Sequence, residues 1–87
     1  MTAKALALYD LSRDAREYAN MAKLTGVEAG LACLDAAIQT HGGYGVAREY
    51  QLGNYWFLLR MLKIGPVSRE MILNFIAEHA LGLPKSY

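Results

Sequence analysis

The stretch from Ala15 to Thr40 constrains this chain more than any other. It contains no proline and places apolar residues at Leu24, Val27, Leu31, Leu34 and Ile38. Steps of three and four residues put all five on one side of an α-helix, so the segment predicts a long helix with a continuous apolar stripe. Asp14-x-x-Glu17 has the spacing of a capping box and predicts a start near Ala15. A second stripe of small residues, Ala22, Gly26, Gly30, Cys33 and Ala37, lies on the same helix. Glycine inside a helix costs about 1 kcal/mol relative to alanine, so two of them predict close approach by a neighbouring helix.

Three further helices follow from the same periodicity, at about 2–11, 48–63 and 67–81. The third should turn Leu52, Tyr55, Leu59 and Leu62 inward, and its centre, Tyr55 to Leu59, is apolar on every side, which predicts burial all round. Gly65-Pro66 breaks the chain, with Pro66 placed for the first turn of the last helix and Gly82 for its end. β-branched residues never cluster. The expected fold is all-α, an up-and-down antiparallel four-helix bundle forming a single helical domain over 1–87.

Charge and composition narrow the function. A net charge of +1 offers no electrostatic footprint for nucleic acid. The longest stretch free of Asp, Glu, Lys and Arg, Ala36 to Ala47, is too short and too polar for a membrane span. MTAKALALYD lacks the apolar core of a secretory signal, and Cys33 alone can form no internal disulfide. Cys33 reads as a small apolar residue in a reducing compartment, the cytoplasm or an organelle interior such as the mitochondrial matrix. His41 and His79 lack the partners of a metal site, so none is expected, and Glu78 reads as part of a solvated face. Counting aliphatics, Met, Phe, Trp, Cys and Gly, the chain is about 56% apolar against about 45–50% for ordinary domains, which points to surface covered by another domain or subunit.

One segment is shaped for a ligand. Gln39-Thr40-His41-Gly42-Gly43-Tyr44-Gly45 is expected to form a glycine-rich loop between two helices. Bare backbone admits a phosphate closely, and a helix beginning after the glycines would offer unpaired N–H groups. The same pattern also serves as an ordinary helix–helix turn.

Ala19-Asn20-Met21-Ala22-Lys23-Leu24, then Ala36-Ala37-Ile38-Gln39-Thr40-His41-Gly42-Gly43-Tyr44-Gly45 and Arg48-Glu49-Tyr50, closely resemble the C-terminal helical domain of acyl-CoA dehydrogenases. The resemblance covers nearly the whole chain. It implies flavin chemistry: removal of hydrogens from the α and β carbons of an acyl-CoA, with a carboxylate base taking the α proton and FAD the β hydride. It further implies that Gln39, Gly42 and Gly43, with Thr40 and His41, contact the FAD of a neighbouring subunit, and that Ser68 touches flavin. The implied partners are an acyl-CoA substrate, the family's other domains or a partner subunit, and further copies in a homo-oligomer. Pro66 stands where many members carry the catalytic base and cannot accept a proton, so no catalytic residue is assigned. Phe57-Leu58 replaces a frequent Arg-Asp. The family's N-terminal and middle β domains have no counterpart in these 87 residues, so the isolated chain is expected to be inactive. The competing reading is a non-catalytic helical oligomerisation or interaction module derived from that family. A third is a module binding some other phosphate-bearing ligand through the same loop.

Overall fold

The computed structural model describes residues 1–85 and contains four α-helices: α1 (Thr2–Asp10), α2 (Arg16–His41), α3 (Leu52–Ile64) and α4 (Arg69–His79). No strand occurs among the described residues. α2 is the spine. The other three helices each pack against it and make little contact with one another.

Pairings along α2 give the directions. Gly30 meets Leu59, Glu28 meets Lys63, and Lys23 Nζ donates to the Gly65 and Val67 carbonyls at 3.0 and 2.7 Å. Numbers therefore fall along α3 as they rise along α2. α4 continues the same way, with Arg69 on Glu28, Ile72 beside Leu24 and Val27, and the Arg16 guanidinium over the Phe75 ring. α3 and α4 thus lie on successive stretches of α2, both antiparallel to it. α1 folds back on the other side of its N-terminal half, where Lys4 Nζ donates to the Tyr18 hydroxyl at 2.7 Å.

The apolar stripe of α2 faces these partners. Leu34 is buried at 7% exposure, and Leu24, Val27, Leu31 and Ile38 are half-buried. Ile72 of α4, at 2%, is the other buried large aliphatic side chain among the described residues. The molecule is only 19 Å thick, about two helix diameters, so most apolar side chains have no second layer above them.

Several expectations are corrected here. The Asp14 capping box does not form: Arg16 sits two residues on and takes the carboxylate, its Nη2 2.8 Å from Asp14 Oδ2, while its backbone N–H donates to Oδ1 at 3.0 Å. α3 begins at Leu52 rather than 48, because Gly42–Val46 and Arg48–Tyr50 coil into 3-10 turns and Gln51 adopts a left-handed φ of 59°. Pro66 and Val67 precede α4, whose N-cap is Ser68; its Oγ accepts from Met71 N–H at 3.3 Å. α3 is not buried all round: Tyr55, Trp56, Leu58, Met61 and Leu62 are exposed, and Phe57 is 71% exposed. Gly30 does allow close approach, since an added Cβ would lie 3.2 Å from Leu59 Cδ2, but Gly26 faces open space and Cys33 is exposed. Glu78 is not on a solvated face; its Oε1 is shielded and without a hydrogen-bond partner.

Candidate functional site

The segment 39–45 closes the C-terminal end of α2. Gln39, Thr40 and His41 are its last helical residues, and Gly42 then turns the chain with φ 60° and ψ −134°, a conformation closed to residues with a Cβ. Gly42 N–H donates back to the Gln39 carbonyl. The chain does not open into a loop. It tightens into 3-10 turns that fold Gly45 onto α2, where a Cβ would run into the Ile38 carbonyl oxygen. Gly45 is accordingly buried, whereas Gly42 and Gly43 are exposed and an added Cβ at either would meet nothing within 4 Å.

The side chains divide into engaged and free. Thr40 Oγ1 donates to Ala36 O at 2.8 Å, which leaves its lone pairs outward. His41 Nδ1 lies 2.7 Å from Ala37 O. A carbonyl can only accept, so Nδ1 carries the hydrogen and the neutral ring presents Nε2 as an acceptor. The Gln39 amide is exposed and has no partner among the described residues. Tyr44 and Tyr50 gather beside His41, with ring centroids 5.5 Å apart for the two tyrosines and 5.9 Å for His41 and Tyr50.

One expectation about this site is overturned. No α-helix begins at the glycines; they end one, and α3 starts only at Leu52. The C-terminus of α2 carries the negative end of its dipole, so it favours hydrogen-bond donors over a phosphate. The fit to a flavin nucleotide therefore rests on bare backbone at Gly42 and Gly43, the Gln39 amide, and acceptors on Thr40 and His41.

Ser68 is not part of this cluster. It lies beside the Val67 carbonyl held by Lys23, and Lys23 is about 24 Å along α2 from Gln39 at 1.5 Å per residue. Its Oγ is used as the α4 cap, with the hydroxyl hydrogen free to donate elsewhere. Around it runs a polar joint that sequence reasoning missed. Glu28 Oε1 lies 2.6 Å from Arg69 Nε and 3.9 Å from Lys63 Nζ. The hydrogen bond from Arg69 lowers the Glu28 pKa below the usual carboxylate range, assisted by both positive charges. One signal was present in the sequence: Lys23 lies one helical turn before Val27, in line with the apolar stripe, an unusual place for a lysine without a partner. Among the described residues no three His, Cys, Asp or Glu side chains gather to hold a metal, and no helix is long and apolar enough to cross a membrane.

Comparison with known proteins follows the same residues. The profile of the family described as Acyl-CoA dehydrogenase, C-terminal domain, matches residues 1–81. The chain is 47% identical over 89 aligned residues to the acyl-CoA dehydrogenase FadE12 of Mycobacterium tuberculosis, covering 100% of this chain and 23% of the relative. It is 36% identical over 70 residues to acyl-CoA dehydrogenase family member 11 of Rattus norvegicus, covering 80% of this chain and 9% of that protein. With the (2S)-methylsuccinyl-CoA dehydrogenase of Cereibacter sphaeroides it shares 40% identity over 63 residues, 72% of this chain and 12% of that one. The chain thus spans less than a quarter of the length of these relatives. No solved structure matches it. All four helices, with the glycine turn between α2 and α3, fall within the matched residues, and the chain belongs to the acyl-CoA dehydrogenase family, as its C-terminal helical domain.

Proposed function

We propose that this chain serves an FAD-dependent acyl-CoA dehydrogenase by laying the Gln39–Gly43 turn against the flavin nucleotide and by supplying apolar surface to an oligomer. The observation that carries the reading is the bare, exposed backbone of Gly42 and Gly43, next to the unpartnered Gln39 amide. In this role Gln39 and the two glycines hold the nucleotide, and Thr40 and His41 accept hydrogen bonds from its hydroxyl or amino groups. Ser68, about 24 Å away along α2, acts on a different part of the flavin or on the flavin of another subunit. Bound flavin supplies the acceptor for the hydride leaving the β carbon of an acyl-CoA. Pro66 offers no base for the α proton, so the α4 side of the site orients and does not abstract.

A fusion tests this, in which the 87 residues replace the matching segment of the tuberculosis relative. Gly43→Leu fills the open space above the turn, at a backbone position that tolerates a side chain. The fusion is expected to purify with flavin, Gly43→Leu to lose most of it, and the isolated chain to carry none. Flavin absorbance per protein is the readout. Equal flavin in the fusion and its Gly43→Leu variant, or a yellow isolated chain active on acyl-CoA, contradicts the proposal.

The interaction-module reading keeps one observation of its own, the absence of a proton acceptor at Pro66. It expects assembly of the chain to be indifferent to FAD, which a size measurement with and without the cofactor decides.

A further inference from the structure

We infer that Lys23 is a positioning residue: its ammonium fixes the peptide between Val67 and Ser68, so that Ser68 presents its N–H and its hydroxyl hydrogen as paired donors to a bound flavin. The inference rests on the reading of Ser68 as a flavin contact and names what holds that residue in place.

The segment between α3 and α4 has little backbone bonding of its own. Gly65 N–H donates to the Met61 carbonyl at 2.8 Å, Pro66 has no N–H, and the next backbone bond runs from Ile72 N–H to the Ser68 carbonyl. Half-buried Lys23 fills the gap from α2. It donates to the Gly65 carbonyl at 3.0 Å and the Val67 carbonyl at 2.7 Å, and neither oxygen has another donor among the described residues. The Gly65 carbonyl belongs to a peptide without a hydrogen, so there Lys23 anchors the chain and aims nothing. The Val67 carbonyl shares a trans peptide plane with Ser68 N–H, and the two point in opposite directions. Holding the oxygen on Lys23 therefore turns Ser68 N–H away from that side chain, and this N–H has no partner among the described residues. Ser68 Oγ accepts from Met71 N–H at 3.3 Å, which leaves the hydroxyl hydrogen to donate. Ser68 thus carries two unspent donors on a peptide whose direction Lys23 sets, and a flavin ring offers carbonyl oxygens and bare ring nitrogens to receive them. Arg69 is held separately, through its side chain on Glu28 Oε1 at 2.6 Å.

The test uses the fusion stripped of flavin and titrated with FAD, read by the dissociation constant and by the visible absorption band of the bound flavin. Lys23→Met keeps the stem and removes the donors; it is expected to weaken FAD roughly 3- to 30-fold and to shift the band. Lys23→Arg, which can still donate to both carbonyls, should restore most of each. Ser68→Ala should give part of the same change. Lys23→Met with Ser68→Ala should give less than the product of the two single effects, because both act through one residue. Glu28→Gln loosens the same joint through a side chain, so it should lower the melting temperature and leave the band in place. If Lys23→Met does not fold, Lys23→Gln, whose amide can donate to one carbonyl, takes its place. The inference is overturned by an unchanged band and affinity in the Lys23 variant, or by a Lys23→Arg protein no better than it. Effects of Lys23 and Ser68 that simply multiply also overturn it, as does an equal band shift in Glu28→Gln. An inert Ser68→Ala beside a Gly43→Leu that loses flavin sinks the inference and leaves the glycine-turn reading standing. If neither variant changes flavin binding, both fail.

Discussion

Glycines at 26, 30, 42, 43 and 45 look alike in the sequence, yet the structure gives them four different jobs. Gly45 is buried where a Cβ would strike the Ile38 backbone, and backbone cannot step aside as a flexible side chain can. Gly42 needs its positive φ. Gly30 admits Leu59, whose methyl group can give a few tenths of an ångström. Gly26 and Gly43 face open space. Substitution by alanine should separate them in the isolated chain. Gly45→Ala is expected to lose about 1–3 kcal/mol by overpacking. Gly26→Ala should gain up to about 1 kcal/mol through helix propensity. Thermal denaturation of the two variants checks the ranking, and a Gly45→Ala protein as stable as the parent would contradict the packing seen at Ile38. The periodicity of the sequence located these glycines on α2 and at its end; it could not say which of them touches something, because that depends on how the chain folds back, Gly45 onto Ile38 and Leu59 onto Gly30.

At the scale of elements, the helices that periodicity defined are those whose register is set by their own apolar spacing, α2 above all. What the spacing missed was decided by competition between neighbours. Asp14 could cap α2, but an arginine two residues on takes both oxygens. The spacing predicts Glu49 and Tyr50 to be helical, yet the chain coils more tightly there, into a 3-10 turn, until Gln51 resets its direction. The joint between α2, α3 and α4 was illegible for a related reason: Lys23, Glu28, Lys63 and Arg69 meet only once α3 and α4 both lie along α2. This joint and the Asp14 clamp should respond to acid. Hydrogen bonds from Arg16 lower the Asp14 pKa from 3.8 to about 2, and Glu28 is held below its ordinary 4.5 by Arg69. Both carboxylates are more acidic folded than unfolded, so their contributions are present at neutral pH and fade as pH falls. For Glu28 the loss begins below 4.5, and for Asp14 it runs from 3.8 down through about 2. Glu28→Gln is therefore expected to lower the melting temperature at pH 7 and to flatten its decline in acid. A variant whose acid decline matches the parent's would show that the ion pairs to Lys63 and Arg69 do not hold the joint.

At the scale of the whole molecule, the apolar excess in the sequence becomes visible surface. The chain exposes 6502 Å², whereas a compact monomer of 9.6 kDa exposes about 5,100 Å². Its radius of gyration is 16.3 Å, against about 12 Å for a compact domain of this length. The difference lies on identifiable faces: Trp56, Phe57, Leu58 and Met61 of α3, and the groove between α1 and α2 lined by Leu6, Tyr9, Ala19 and Ala22. The apolar run Tyr55–Leu59 predicts burial of α3 on all sides, and it is not so buried because its own chain supplies only one side, α2. Burial is a property of the final assembly, whereas helix formation is local, which is why the elements were legible and their environment was not. The isolated chain is accordingly expected to melt at a temperature that rises with its concentration and to bind a hydrophobic dye, since association removes apolar surface from water. Phe57→Lys with Met61→Lys should abolish both behaviours while leaving the helix content of α2 intact, because neither side chain is buried against it. In the fusion the same pair should lower flavin retention by weakening the assembly. A melting temperature unchanged over about a hundredfold range of concentration, with no dye bound, would mean that the exposed face of α3 is content in water and that the chain needs no partner to cover it.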